Sequence, residues 1–253
     1  MNFLRTQLFG TSSRLFKSQV RAMHIQSIPM WTGKGNNYAY LVTDESTKKS
    51  VIIDPANPPE VAPELKSQIA SGKIDLTAIV NTHHHWDHAG GNNDILKQFK
   101  GLQVIGVKAL HTPCHTQDSV CYYMQDGDQR VVFTGDTLFI GGCGRFFEGN
   151  AKEMHKALNE TLAALPDDTK VYPGHEYTKA NVKFCIAVSQ SEPIKKLQAF
   201  AEKNKETQGK FTIGDEKLHN VFMRVNDPEI QKVTGKTDPV DVMAALREMK
   251  NAM

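Results

Sequence analysis

Apolar residues in this chain come in short runs separated by charged or glycine-containing stretches, and the period of the runs changes along the sequence. Tyr38-Ala-Tyr-Leu-Val42 and Ser50-Val-Ile-Ile-Asp54 are strand-like, and the second ends on an acid followed by a proline. Asn57-Pro-Pro reads as a loop, and residues 61–71 carry helical spacing up to Gly72. Residues 76–80 form a continuous apolar strand, 92–100 a helix closed by Gly101, and 102–105, 120–124 and 130–133 three further strands. Residues 152–165 are an amphipathic helix stopped by Pro166, and residues 170–172 a last short strand. After His175 the strand signal stops. Residues 177–253 are mainly helical and charged, with turns near Gly209 and Gly214. Strands mixed with helices, followed by a helical tail, predict an α/β domain carrying a helical appendage.

The first 22 residues stand apart. Phe3, Leu4, Leu8, Phe9, Leu15 and Phe16 alternate with Arg5, Arg14, Lys17, Arg21 and hydroxyl residues, and acids are absent. An amphipathic, basic, acid-free segment without a continuous apolar centre predicts a mitochondrial targeting segment rather than a secretory signal. The destination would be the mitochondrial matrix; initiation at Met23 would give a cytoplasmic form. The formal charge of +2 is local to this segment: without its four cations, 26 basic residues face 28 acids. A near-neutral body offers no footprint for nucleic acid. No run approaches the roughly 20 apolar residues that span a membrane. Cys114, Cys121, Cys143 and Cys185 form no C-x-x-C pair and read as buried thiols in a reducing compartment.

The sharpest chemical signal is Thr82-His83-His84-His85-Trp86-Asp87-His88, placed at the end of the 76–80 strand. Residues two apart on extended chain project to one side, so His83 and His85 can reach one metal ion, with Asp87 and His88 at the turn serving a second. Imidazole with carboxylate is the ligand set of zinc, and of iron and manganese. His84 and Trp86 have the opposite parity and read as structural or supporting residues.

The string H-x-H-x-D-H resembles the signature of the metallo-β-lactamase superfamily. Thr112-Pro-Cys-His115-Thr, Thr134-Gly-Asp136-Thr and Tyr172-Pro-Gly-His175-Glu follow in the matching order. The resemblance narrows to glyoxalase II, the hydroxyacylglutathione hydrolases, and to fungal members most of all. It does so through Gly141-Gly-Cys-Gly-Arg145-Phe-Phe-Glu-Gly149, Gly174-His-Glu-Tyr-Thr178, Phe222-Met-Arg224 and Arg247-x-x-Lys250. It implies an αββα sandwich of two mixed sheets over residues 23–176 and a helical, substrate-binding C-terminal domain over 177–253. It further implies two divalent ions, zinc first. His83, His85 and His115 would hold one, Asp87, His88 and His175 the other, and Asp136 would bridge them. The nucleophile would be a metal-bound hydroxide, with Asp87 orienting it as well as binding metal. The implied reaction is hydrolysis of S-D-lactoylglutathione and related 2-hydroxyacyl thioesters by a monomer, as in methylglyoxal detoxification.

Glutathione carries two free carboxylates, and the resemblance assigns its binding to Arg145, Phe147, Tyr177, Arg247 and Lys250. Many family members have a tyrosine at the position of Phe147, whose hydroxyl this chain lacks. The larger departure is the interval from His88 to His115, only 27 positions long and shorter than the family's by at least a β-hairpin. The missing part maps between Gly106 and Val107. A lost strand partner predicts that His115 is poorly delivered and the first metal site weakened. Two alternatives therefore accompany the hydrolase reading: an impaired metal-binding variant, and a persulfide dioxygenase-like relative. The complete ligand set and Arg247-x-x-Lys250 argue against the second.

Overall fold

The computed structural model describes residues 23–102 and 108–253. The expected targeting segment, most of the expected 102–105 strand and the expected join at Gly106 lie outside the described residues. Two four-stranded sheets carry the metal-ligand candidates. In the first, β1 (Met23–Met30), β2 (Asn37–Asp44), β3 (Lys49–Ile53) and β4 (Asp75–Val80) lie in that order. The first three are antiparallel, and β4 runs parallel to β3 through the crossover helix α1 (Pro58–Ala70). Two short helices follow, α2 (Trp86–Ala89) and α3 (Asn92–Gln98). The second sheet holds β5 (Lys108–His111), β6 (Val120–Asp126) and β7 (Gln129–Gly135), with β10 (Lys170–Pro173) parallel to β7 on its far side. Between β7 and β10 come the small hairpin β8 (Leu138–Phe139) and β9 (Gly142–Cys143), and the helix α4 (Ala151–His155). That helix widens into a π-helical stretch, Lys156–Leu162.

Strand alternation sorts the apolar residues into three layers of core. On β2, Ala39 and Leu41 face α1 and α3, where they meet Val61, Leu65 and Ile95. The alternate residues Tyr38, Tyr40 and Val42 face the second sheet and meet Val131 and Phe133 of β7. The intervening Val132 points the other way, into a cluster with Met154, Leu158 and the C-terminal helices. The order helix, sheet, sheet, helix is the expected αββα sandwich.

The C-terminal region consists of α5 (Thr178–Val188), α6 (Glu192–Lys203), α7 (Ile213–His219), a 3-10 turn (Val221–Met223), α8 (Pro228–Thr234) and α9 (Pro239–Asn251). It has no core of its own. Phe184, Phe222, Val242 and Leu246 belong to the same cluster as Val132 and Val171 of the second sheet. The helices are therefore the fourth layer of the sandwich as much as an appendage.

Three helix ends differ from the sequence reading. The first helix begins at Pro58, because both prolines of Asn57-Pro-Pro occupy the first turn, where no backbone N–H is needed. Gly214 is not a turn residue: Thr212 caps α7 by accepting from Asp215 N, and Gly214 lies inside the first turn. The 152–165 helix stops at Leu162, where Ala163 N bonds back five residues to Leu158 O at 3.0 Å.

The parallel pairs set the position of the site. Ile53 and Val80 end β3 and β4 side by side, and Gly135 and Pro173 end β7 and β10 side by side. The residues that follow these four ends are Asp54, Asn81, Asp136 and Gly174. Val120 N donates to Thr82 O at 2.9 Å and Tyr38 N to Gly174 O at 3.0 Å, which ties the two sheets together at that edge.

Candidate metal centre

The His83–His88 segment leaves β4 and turns at once into α2, with His85 as its N-cap residue. His83 and His88 are buried, and His85 and Asp87 are partly exposed. His84 and Trp86 point away, as their parity predicts. His84 binds Asp118 at 2.9 Å, which links the ligand loop to the His115 turn. Trp86 is 71% exposed and packs edge-on against Trp31.

All seven predicted ligand residues converge. His83, His85 and His115 each offer an atom to one group, Asp87, His88 and His175 to a second, and His83, His88 and Asp136 to a third, with the atoms of each group within 4.8 Å of one another. His85 Nδ1 lies 3.2 Å from His115 Nε2, and His88 Nε2 lies 3.2 Å from His175 Nε2. Two nitrogens bound to one tetrahedral ion at about 2.0–2.1 Å stand about 3.4 Å apart, so both pairs have the separation of co-ligands. Asp136 sits between the groups, its Oδ1 3.4 Å from His88 Nε2 and its Oδ2 3.5 Å from His115 Nε2 and 3.2 Å from His175 Nε2.

The rings are held from behind. His115 Nδ1 donates to Arg145 O and His175 Nδ1 to Gly35 O, each at 3.0 Å. His88 Nδ1 donates to Asp54 Oδ2 at 2.9 Å. Thr82 Oγ1 gives its own proton to Asp54 Oδ2 at 2.6 Å, so it accepts from His83 Nδ1 at 3.0 Å. A carbonyl or carboxylate can only accept, so each ring carries its hydrogen on Nδ1 and, when neutral, turns a bare Nε2 inward. His83 Nε2 and Asp136 Oδ1 are buried with no hydrogen-bond partner. Orphaned acceptors of this kind, converging at ligand spacing, fit a pair of divalent cations. The fit is tight: a Cβ on Gly174 would lie 2.5 Å from Asp136 Oδ1 and 2.7 Å from His88 Cε1.

The electrostatics point the same way. Burial holds the His83 imidazole down to about 3, with the neighbouring His88 adding to the effect. Burial likewise lowers His115, against the pull of Asp136. Burial also opposes charge on His88 and His175, but Asp136 reverses it and raises both, helped at His88 by Asp54. Burial pushes the Asp136 carboxyl up, and His175 and His88 outweigh it, leaving Asp136 well below the usual range. The carboxylates thus draw positive charge to the place where an ion held by Asp87, His88 and His175 would sit. Loading that ion displaces protons, so affinity falls as pH falls.

His115 stands 3.2 Å from His85 Nδ1, at ligand spacing, despite the short interval before it. Its position is set from downstream. Thr112 N donates to Ser119 O at 2.9 Å, Cys114 N to Thr116 O at 3.1 Å, and Glu148 N to Cys114 O at 3.3 Å. The β5–β6 pairing, His111 opposite Val120, closes the base of this turn.

Arg145, Phe147, Tyr177, Arg247 and Lys250 line one cavity of about 360 Å³, together with His115 and Asp136. Tyr177 stacks on His175, with centroids 4.6 Å apart and planes at 9°. Phe147 is exposed at the rim, its ring 5.1 Å from that of His115. Arg247 and Lys250 are not a solvated helix face. Arg247 is 6% exposed, donates to Cys143 O and leaves its buried Nε unpartnered, and Lys250 reaches Asn181 Oδ1.

Two supporting residues escaped the sequence reading. Asp54 accepts from Thr82 N, Thr82 Oγ1 and His88 Nδ1, with its backbone in the left-handed region at φ 50°. Its signal was present, an acid closing an apolar strand. Asn37 donates to Asp87 O at 3.0 Å and Asp87 Oδ2 at 3.1 Å, and nothing in its sequence context marks it.

This sandwich with its histidine-rich edge places the chain in the metallo-β-lactamase superfamily, whose profile matches residues 32–111 and 99–175. The profile for the hydroxyacylglutathione hydrolase C-terminus matches residues 176–253. Probable hydroxyacylglutathione hydrolase glo2 of Schizosaccharomyces pombe is 52% identical over 254 residues, covering 91% of this chain and 99% of that one. The cytoplasmic isozyme of hydroxyacylglutathione hydrolase from Saccharomyces cerevisiae is 45% identical, covering 91% and 100%. The mitochondrial enzyme of the same yeast is 39% identical, covering 93% and 98%. The chain belongs to the hydroxyacylglutathione hydrolase (glyoxalase II) family. The superfamily match divides at 99–111, within the short His88-to-His115 interval.

Asp54 is the residue on which the back-side bonds of His83 and His88 meet. Asp54→Asn keeps the shape but turns an amide donor toward groups that are themselves donors. It is expected to weaken metal binding about 10–100-fold in competition with a chromophoric chelator. Unchanged affinity for both ions would remove Asp54 from this role.

Proposed function

We propose that this chain hydrolyses S-D-lactoylglutathione and related 2-hydroxyacylglutathione thioesters to glutathione and the free hydroxy acid, at a site of two divalent ions, zinc first. The observation that carries the reading is the single cavity joining the ligand cluster to Arg247 and Lys250. When bound, the two ions supply a water that ionises near neutral pH and an electrophile for the thioester carbonyl. The chain's own groups do the rest. His83, His85 and His115 form one ligand set, Asp87, His88 and His175 the other, and Asp136 reaches both. Asn37 holds the Asp87 carboxylate from behind, so that Asp87 can orient the attacking water as well as serve in the second ligand set. Tyr177, stacked on His175, closes one side of the cavity, and Phe147 forms its rim.

The glutathione carboxylates, remote from the thioester, are the partners for Arg145, Arg247 and Lys250. Burial has already removed part of the hydration of Arg247 and Lys250. A carboxylate reaching them replaces weak acceptors with a charge-assisted bond. The protein bears every proposed ligand and binding residue on one chain and needs no second copy to complete the site. Among the described residues, no helix is long and apolar enough to cross a membrane.

Lys250 gives the reading a pH signature. Burial lowers its ammonium to about 8. It is charged below that value and neutral above it, so KM for S-D-lactoylglutathione is expected to rise as pH climbs through about 8. Thiol release measured across this range tests it. Arg247→Ala with Lys250→Ala should raise KM at every pH, more than it lowers kcat, and abolish the trend. No thiol release by the metal-loaded protein would sink the reading, and an unchanged KM in the double variant would take both cations out of the site.

We also infer a mitochondrial matrix location from the basic, acid-free residues 1–22, with a cytoplasmic form if translation starts at Met23. Both locations occur among the yeast relatives. Residues 1–22 fused to a fluorescent reporter should carry it into mitochondria; a uniformly cytosolic reporter would refute the inference.

A further inference from the structure

Residues 140–145 run between the metal centre and the C-terminal helices with no slack on either side. Toward the centre, Arg145 O takes the Nδ1 proton of His115 at 3.0 Å. A Cβ on Gly144 would lie 2.0 Å from Asp136 O and 3.0 Å from His115 Nδ1. Toward the helices, a Cβ on Gly142 would lie 2.6 Å from Asn181 Cγ, and one on Gly141 would lie 3.0 Å from Leu197 Cδ2. Asn181 Nδ2 donates to Ile140 O at 3.0 Å.

The segment is gripped by a buried carboxylate. Glu216 of α7 has no exposed surface. Gly141 N donates to its Oε2 at 3.0 Å, Asn220 Nδ2 to the same oxygen at 2.8 Å, and His219 Nε2 lies 2.7 Å from Oε1. Asn220 Nδ2 also reaches Gly142 O at 3.0 Å. Gly141 supplies the left-handed backbone, φ 67°, that turns its N–H toward the carboxylate. An apolar side chain would fill the same space without the cost of burying a carboxylate, so packing alone does not account for Glu216.

We propose that Glu216 is a positioning residue for the first metal site: through Gly141 and the packed 140–145 segment it sets the height of Arg145 O, and so the orientation of the His115 ring. The proposal rests on the reading of His83, His85 and His115 as one ligand set. Glu216 itself touches neither metal ligand nor cavity. Its effect travels through a backbone that is fixed at Gly141 and Gly142 on one side and pressed against Asp136 on the other.

The test uses the full chain loaded with two metal ions. Glu216→Gln keeps the volume but replaces the charged acceptor of Gly141 N and Asn220 Nδ2 with a neutral amide, which weakens the grip whichever way the amide turns. One of the two ions should then leave to a chelator about tenfold faster, as outer-sphere partners of metal-bound histidines generally affect affinity. The visible spectrum of the cobalt(II)-loaded protein should change for the three-histidine site while the other site keeps its bands. A purely structural role would lower Tm and leave metal release and spectrum as in the parent. Should Glu216→Gln fail to fold, Asn220→Ala removes the grip on Gly142 while keeping the carboxylate, and is expected to act in the same direction. Parental release rates and spectrum in the folded variant overturn the proposal. Thioester turnover by the parent is recorded alongside: if it is missing, the substrate reading fails, while the release rates still decide the role of Glu216.

Discussion

The structure depends on an arrangement that is unfavourable by itself. Five imidazoles and two carboxylates face one another at the edge of a sandwich, most of them buried. In neutral rings, lone pairs at about 3 Å repel. The protein enforces this geometry by satisfying each Nδ1 of His83, His88, His115 and His175 from behind, through Thr82, Asp54, Arg145 O and Gly35 O. Positive charge is what the inward-facing atoms lack, and divalent cations supply it while using the geometry already in place.

The folding plan follows from that requirement. Ligands on flexible loops would relax away from one another. Here all but His115 follow the ends of two parallel strand pairs, and His115 sits in the turn between the antiparallel β5 and β6, with registers fixed by ladders and by the three layers of alternating apolar residues. The C-terminal helices add the second half of the site. They share a core with the second sheet, bring Arg247 and Lys250 into the cavity beside His115, and grip the 140–145 segment that orients this ligand. In the proposed reading, binding of the remote carboxylates and holding of the first metal therefore meet in one short piece of backbone.

Much of this was legible in the sequence, for physical reasons. Short apolar runs revealed β2 and β7, and the i, i+2 spacing of His83 and His85 set their common direction. The parity of His84 and Trp86 sent them outward. Residues such as His115, Asp136 and His175 became readable only through their order and motifs, because a single histidine or aspartate in a turn carries little information. Asp54 had a local signal, an acid closing an apolar strand. Asn37 and Glu216 had none, since their partners lie 50 and 75 positions away. The short interval before His115 drew attention upstream, whereas the bonds that hold the His115 turn lie downstream. The turn is held by Ser119, Thr116 and Glu148, all later in the chain.

The central claim is that one chain presents two complete cation sites. Calorimetric titration of zinc into chelator-treated protein, with metal content checked by elemental analysis, tests it most directly. The account predicts two ions per chain, bound less tightly as pH falls. Saturation at one ion, or none, in correctly folded protein would contradict it.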